Sequence, residues 1–247
     1  MKALILAAGY AVRLYPLTKE YPKPLLAIGQ RPIINYIIDK LEKIDDINEI
    51  IVVTNSKFIS VFRKWARRQQ SQKGISLVDD LTKNHSDRRG AIGDMNFVID
   101  KKRIRDDLLV IGGDNLFDGD LNDFIAFAKA HKSSPVIGTY NIKDKIQARQ
   151  YGVLKVDSRY KLTDFAEKPK KPKSTLIAMC LYYFPKEELG LVKEYLNSRH
   201  NKHDATGFYI DWLRKKVPVY GFAFDGYWYD IGHPKIYKEA AREYGST

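Results

Sequence analysis

The chain has 247 residues, 44% apolar and 29% charged, enough to bury a sizeable core in one large domain or two small ones. The single cysteine, Cys180, excludes an internal disulfide and a cysteine-clustered zinc site, and it fits a reducing cytoplasm. No apolar run approaches the ~20 residues that span a bilayer, no signal-peptide pattern opens the chain, and a net charge of +12 favours anionic partners.

In chain order, apolar runs at 2–8, 49–55, 75–80, 107–114 and 134–142 read as strands. Segments of helical period separate them: Ile34, Ile37, Ile38 and Leu41, then 57–70, 90–100 and 121–132. In the 57–70 helix, Phe58, Val61, Phe62 and Trp65 share one stripe, and Arg63, Lys64, Arg67 and Arg68 lie largely on the other. That pattern predicts a solvated basic face rather than a nucleic-acid site, since no basic-aromatic motif of a nucleic-acid module accompanies it. Strand–helix alternation predicts a mainly parallel, Rossmann-like α/β sheet flanked by helices, with ligands beyond the carboxyl ends of the strands.

The second half reads differently. A hairpin over 151–169 turns at Asp157–Tyr160, a stiff Lys-Pro loop follows, and 174–184 forms a strand. A helix from Pro185, another at 205–214, a strand at 217–224 and a final helix from Pro234 complete the chain. With no repeat or flexible linker in view, 1–247 reads as one domain, in which 143–247 adds a lobe to the 1–142 half. His200 and His203 have helical spacing but lack a third ligand, so they read as surface residues, and Tyr227-Trp228-Tyr229 reads as structural.

The first strand runs into Gly9, then Arg13, then Lys23 wedged between Pro22 and Pro24. Backbone N–H groups after a glycine, together with two fixed cations, suit a polyphosphate. The segment is neither a Walker A loop, for it lacks Gly-Lys-Ser/Thr, nor a dinucleotide fingerprint, for it lacks the second glycine.

The whole stretch LAAGYAVRLYPLTKEYPKPLLAI (6–28) resembles the N-terminal signature of the sugar-1-phosphate nucleotidyltransferases, the family of glucose-1-phosphate thymidylyltransferase. The resemblance continues in order through GAIGD (90–94), GGDNLF (112–117), YGVL (151–154), FAEKP (165–169), LYYF (181–184) and GYWYDIGHPKIYKEA (226–240). It implies a fold of the nucleotide-diphospho-sugar transferase type with a C-terminal sugar-binding lobe. It also implies a Mg²⁺-dependent enzyme joining a nucleoside triphosphate, dTTP or UTP by nearest likeness, to a sugar 1-phosphate.

By the same matching, Asp114 and Asp230 would hold the metal, while Arg13 and Lys23 would act on the triphosphate. Leu6, Ala8, Gly9, Ala11, Val12 and Gly90 would bind the nucleotide. Lys168 would grip the sugar phosphate, with Asn115, Gly152 and Glu167 beside it. Neither nucleic acid nor membrane is a partner in this reading, and a homo-oligomer is compatible with it. The dozen or so residues after His233-Pro234 leave no room for the β-helix that longer relatives append.

Three departures matter. The family usually carries Gly-x-Gly-Thr-Arg-Leu, whereas this chain has Gly9-Tyr10-Ala11-Val12-Arg13-Leu14, which loses a hydroxyl and easy access to φ > 0 at Ala11. Cys180 stands where a glycine is usual and is expected to pack rather than react. Arg88 and Arg89 precede Gly90, where they alter base choice or are exposed loop cations. Two alternatives therefore stay open: a cytidylyltransferase acting on phosphocholine or another alcohol phosphate, and a regulatory homologue with weakened catalysis.

Overall fold

A computed structural model describes residues 1–198 and 205–244, so His200 and His203 lie outside the described residues. In chain order come β1 (Lys2–Leu6), β2 (Ala27–Ile28), β3 (Arg31–Pro32), α1 (Ile33–Glu42), β4 (Glu49–Thr54), α2 (Ile59–Ala66), β5 (Ile75–Asp79), α3 (Gly90–Lys102), β6 (Leu108–Gly112) and β7 (Asn115–Phe117). They continue with α4 (Leu121–Ala130), β8 (Val136–Asn141), α5 (Lys145–Ala148), β9 (Gly152–Val156), β10 (Leu162–Glu167), β11 (Leu176–Phe184), α6 (Gly190–Asn197), α7 (Thr206–Leu213), β12 (Tyr220–Phe224), β13 (Trp228–Asp230) and α8 (Pro234–Tyr244). The elements expected from periodicity form, mostly with trimmed ends; the helix from Pro185 begins as a 3-10 turn over Lys186–Glu188 before α6.

The chain divides into two compact units that alternate along the sequence. The first comprises Met1–Arg89, Ile111–Leu121 and Gly226–Thr247. In it β1 pairs parallel with β4, and β4 parallel with β5. Ile50 to Val53 of β4 are fully buried, as an unbroken apolar run between two neighbours requires. On α2, Phe58, Phe62 and Trp65 are buried while Arg63, Lys64, Arg67 and Arg68 are exposed, so the basic stripe is a solvated face.

The second unit comprises Gly90–Val110 and Asn122–Asp225. Here β8 pairs parallel with β12 but antiparallel with β11, and β9 and β10 form the expected antiparallel hairpin. Asp157 fixes its turn, accepting hydrogen bonds from the backbone N–H groups of Arg159 and Lys161 at 2.8 and 3.0 Å. The architecture is thus a mostly parallel but mixed α/β sheet with flanking helices. Among the described residues no helix is long and apolar enough to cross a membrane.

Candidate active site

In the first unit one apolar cluster supports four charged side chains. Leu14, Leu26, Leu116 and Ile231 are buried together with Ile28 and Ile33. Leu14, Leu116 and Ile231 are chain neighbours of Arg13, Asn115 and Asp230, so packing the apolar residues fixes where the polar ones emerge. Close backbone approach does the rest. A Cβ at Gly113 would fall 2.9 Å from the Leu6 carbonyl oxygen and 3.2 Å from the Pro24 ring, so only glycine lets this turn settle against the end of β1. The Gly113 N–H donates to that same carbonyl at 2.9 Å.

This turn carries Asp114 to the Lys23 ammonium, which donates a short hydrogen bond to its carboxylate. The antiparallel pairing of β7 and β13 sets Asp230 opposite Asn115, and the Ile231 N–H donates to the Asp114 carbonyl at 3.1 Å. Asp230 consequently lies beside Asp114, near enough for the charge of Asp114 to bear on it. Arg13 borders the same place: a Cβ on Gly232 would stand 3.5 Å from its guanidinium and 3.8 Å from both Asp230 carboxyl oxygens.

The electrostatics follow from that crowding. Burial works against ionised Asp114, but the charge and hydrogen bond of Lys23 outweigh it and hold the carboxyl below its usual range. Asp230 is pushed up to about 7 by burial and by the negative charge of Asp114. Lys23 is raised despite burial, because Asp114 and Asp230 both favour its ammonium form. Two oxygen-donor groups that repel one another at neutral pH suit a hard divalent cation, which takes carboxylates and keeps waters and phosphate oxygens as its remaining ligands. The residues present therefore fit Mg²⁺.

The other positions expected to bind the nucleotide are placed as follows. The backbone at Ala11 is left-handed, φ 47 and ψ 41, and its carbonyl accepts from the buried Thr18 hydroxyl at 2.7 Å. The glycine-like conformation therefore survives the replacement of glycine, and Val12 opens a 3-10 turn ending at Leu14. The Leu6 and Ala8 carbonyls are engaged, by the Gly113 N–H and by Asn55 Nδ2 at 2.8 Å, while Gly9 is exposed with open space where a side chain would go. Asn115 is buried: its amide donates to the Gly112 carbonyl at 3.2 Å and its Oδ1 accepts from Trp228 Nε1 at 2.8 Å, which fastens β7 to β13.

Sequence reasoning passed over Tyr10 and Asn55. Tyr10 is buried against Phe58, and its hydroxyl pairs with that of Thr82 at 3.1 Å. Asn55 Oδ1 accepts from the Phe58 N–H at 3.1 Å just ahead of α2, while its amide holds the Ala8 carbonyl. A large aromatic immediately after Gly9 was the available signal. Arg88 and Arg89 brace the neighbouring loop by donating to the His85 and Asp80 carbonyls, each at 2.7 Å.

Gly90, Gly152, Glu167 and Lys168 belong to the second unit. Gly90 opens α3 with φ 75. The β9–β10 register places Gly152 opposite Glu167. The Glu167 side chain is only 8% exposed, and burial raises its pKa against the weaker opposing effect of Lys168, whose Nζ lies 3.9 Å away. Lys168 has a left-handed backbone, φ 45, and its side chain is mostly in solvent. Cys180, in β11, is left-handed too, φ 55.

Residues 2–247 match the nucleotidyl transferase family along their whole length. The chain belongs to that family. It is 30% identical over 235 residues to the bifunctional protein GlmU of Methanocaldococcus jannaschii, covering 95% of this chain and 52% of that protein. It is 26% identical to the glucose-1-phosphate adenylyltransferase of Mycoplasma mobile, covering 97% of this chain and 66% of that protein. The chain thus spans about half the length of the GlmU relatives it matches. A crystal structure of UDP-glucose pyrophosphorylase complexed with UDP-glucose superposes with a TM-score of 0.83 over 99% of this chain and 98% of that one. At 20% identity that likeness speaks for the fold. The resemblance to sugar-1-phosphate nucleotidyltransferases drawn from the motifs is borne out at the level of the family.

Proposed function

We propose that the protein transfers a nucleotidyl group from a nucleoside triphosphate to a sugar 1-phosphate. An acceptor phosphate oxygen attacks the α-phosphorus, the bond from that phosphorus to the bridging oxygen of the β-phosphate breaks, and pyrophosphate leaves. The observation that carries this reading is the gathering of Arg13, Lys23, Asp114 and Asp230 on one buried support within the first unit. Two anions must be brought together in line, so charge neutralisation and positioning matter more than a protein nucleophile.

In this reading Arg13 and Lys23 hold the triphosphate and stabilise the departing pyrophosphate. Asp114 and Asp230 hold Mg²⁺, which when bound neutralises charge on the phosphate undergoing substitution. Residues 1–142 serve the nucleotide and 143–247 the sugar phosphate, with Lys168 on the acceptor phosphate and Glu167 accepting from sugar hydroxyls. The left-handed backbone at Ala11 supports a working phosphate loop over a weakened homologue, because amide N–H groups there keep their directions. The motif resemblance to the thymidylyltransferase branch of the family supports dTTP or UTP as the nucleotide donor. Phosphorylated substrates and the lone cysteine support a cytoplasmic setting.

The test is pyrophosphate release in the presence of Mg²⁺, with each common nucleoside triphosphate offered against a pool of sugar 1-phosphates and, separately, phosphocholine. Release with UTP or dTTP and the sugar pool is expected. Release with phosphocholine alone, or none with any acceptor, would overturn the proposal.

A further inference from the structure

The second unit holds one carboxylate by the absence of side chains around it. In α7 the second residue is Gly207, although alanine would favour the helix by about 1 kcal/mol. Space supplies the reason: a Cβ there would fall 1.8 Å from Glu167 Oε2 and 2.9 Å from both Glu167 Cδ and Phe165 Cε1. From the other side, a Cβ on Gly152 would stand 2.5 Å from Phe165 Cζ and 3.2 Å from Glu167 Oε2. The carboxylate therefore sits in a slot made by two bare α-carbons, one on β9 and one on α7, against the edge of the Phe165 ring. The slot is anchored on β11, where the Tyr182 hydroxyl donates to the Thr206 hydroxyl at 2.6 Å and so fixes the first residue of α7.

Within this slot the Glu167 carboxylate accepts no hydrogen bond from any described residue, its sole ionic neighbour being Lys168 Nζ at 3.9 Å. A mostly buried carboxylate that faces no protein donor keeps acceptor capacity for a ligand hydroxyl. Resting on the sugar-phosphate reading above, we infer that Gly207 is a positioning residue: by leaving room for Glu167 it sets where an acceptor's hydroxyl groups must lie, and so selects polyhydroxylated acceptors. An alanine at 207 would drive the carboxylate out of the slot without touching the triphosphate site.

The experiment is a double-mutant cycle of Gly207→Ala and Glu167→Ala, read both as acceptor KM and as thermal midpoint. Gly207→Ala alone is expected to raise the KM for the sugar 1-phosphate about tenfold or more, as loss of a hydrogen bond to a charged group does, with the triphosphate KM unchanged. In the Glu167→Ala background the same substitution should change acceptor KM less than twofold and lower the thermal midpoint less than it does in the unmodified protein, the remaining cost being the 2.9 Å approach to Phe165 Cε1. Equal KM effects in both backgrounds, or a wild-type KM in Gly207→Ala, would overturn the inference. If Gly207→Ala does not fold, the double variant decides: folding supports the slot, and failing alike refutes it. Should no sugar 1-phosphate react with the unmodified protein, the functional proposal falls, while the thermal cycle still reports on the slot.

Discussion

The carboxylates of the first unit and the carboxylate of the second are held in opposite ways. Asp114 and Asp230 are crowded together and rely on Lys23 and Arg13 for compensation, so their arrangement depends on charge. Glu167 has one distant lysine and lies between two glycines, so its arrangement depends on shape. A charge-removing, shape-conserving edit should therefore separate the two regions. Asp114→Asn is expected to lower turnover by roughly a thousandfold, several kcal/mol of lost charge stabilisation at the reacting phosphate, with the fold intact. Glu167→Gln keeps its volume and one acceptor oxygen, and should cost only about tenfold in kcat/KM for the acceptor. Comparable losses from the two, or near-normal turnover in Asp114→Asn, would erase the distinction.

The next test uses pH. In the unfolded chain Asp230 titrates near its ordinary value of 3.8, and in the folded protein near 7. Between those values the folded state holds a proton that the unfolded state has released, so this contribution to stability falls as pH rises through the window and is flat above it. Asp114 works the other way: its lowered pKa contributes stability above the ordinary range and loses it as pH falls below. Metal-free protein should thus lose about 2–4 kcal/mol from Asp230 between pH 4 and 7. Asp230→Asn should flatten that limb and be the more stable protein at pH 8, and Mg²⁺ should raise the thermal midpoint more at pH 8 than at pH 5.5. Urea denaturation across pH measures the first two and thermal melts with and without Mg²⁺ the third; an unchanged slope in Asp230→Asn would show that the pair does not compete for a proton. No such titration effect is expected from Glu167→Gln at neutral pH, if shape rather than charge governs the second region.

Local chemistry explains how much of this was visible in the sequence. Strands and helices were legible because apolar period and buried faces coincide, as on β4 and α2. The charged residues of the first unit were legible because each stands in a short motif beside an apolar anchor. The glycine slot was not, since Gly152, Gly207 and Glu167 come from three elements and only the β9–β10 register and the seating of α7 bring them together. Tyr10 was missed for the same reason: its partner Thr82 is 72 residues away. The mixed pairing of β8 with β11 and β12 likewise leaves no period of its own in the sequence.

The smallest effect concerns positions where glycine is absent rather than required. Ala11 and Cys180 both stand where relatives usually carry glycine, and both adopt left-handed backbone, φ 47 and φ 55. An L-residue there incurs about 1–2 kcal/mol, whereas glycine removes that strain but loses about 0.4–1 kcal/mol through its freer unfolded state. The difference predicts that Ala11→Gly and Cys180→Gly each stabilise the protein by about 0.5–1 kcal/mol. Their effects on activity should differ. Ala11 lies in the proposed phosphate loop and already holds the left-handed conformation that glycine would adopt, so relief of strain should leave the triphosphate KM within about twofold. Cys180 is two residues before Tyr182, whose hydroxyl anchors Thr206, so its replacement should leave KM for the triphosphate alone and register, if anywhere, on the acceptor. Chemical denaturation gives the first pair of numbers and steady-state kinetics the second. A loss of stability in either variant would mean that the side chain contributes more through packing than its backbone costs, and at Cys180, half-buried in β11, that packing is the contribution to measure.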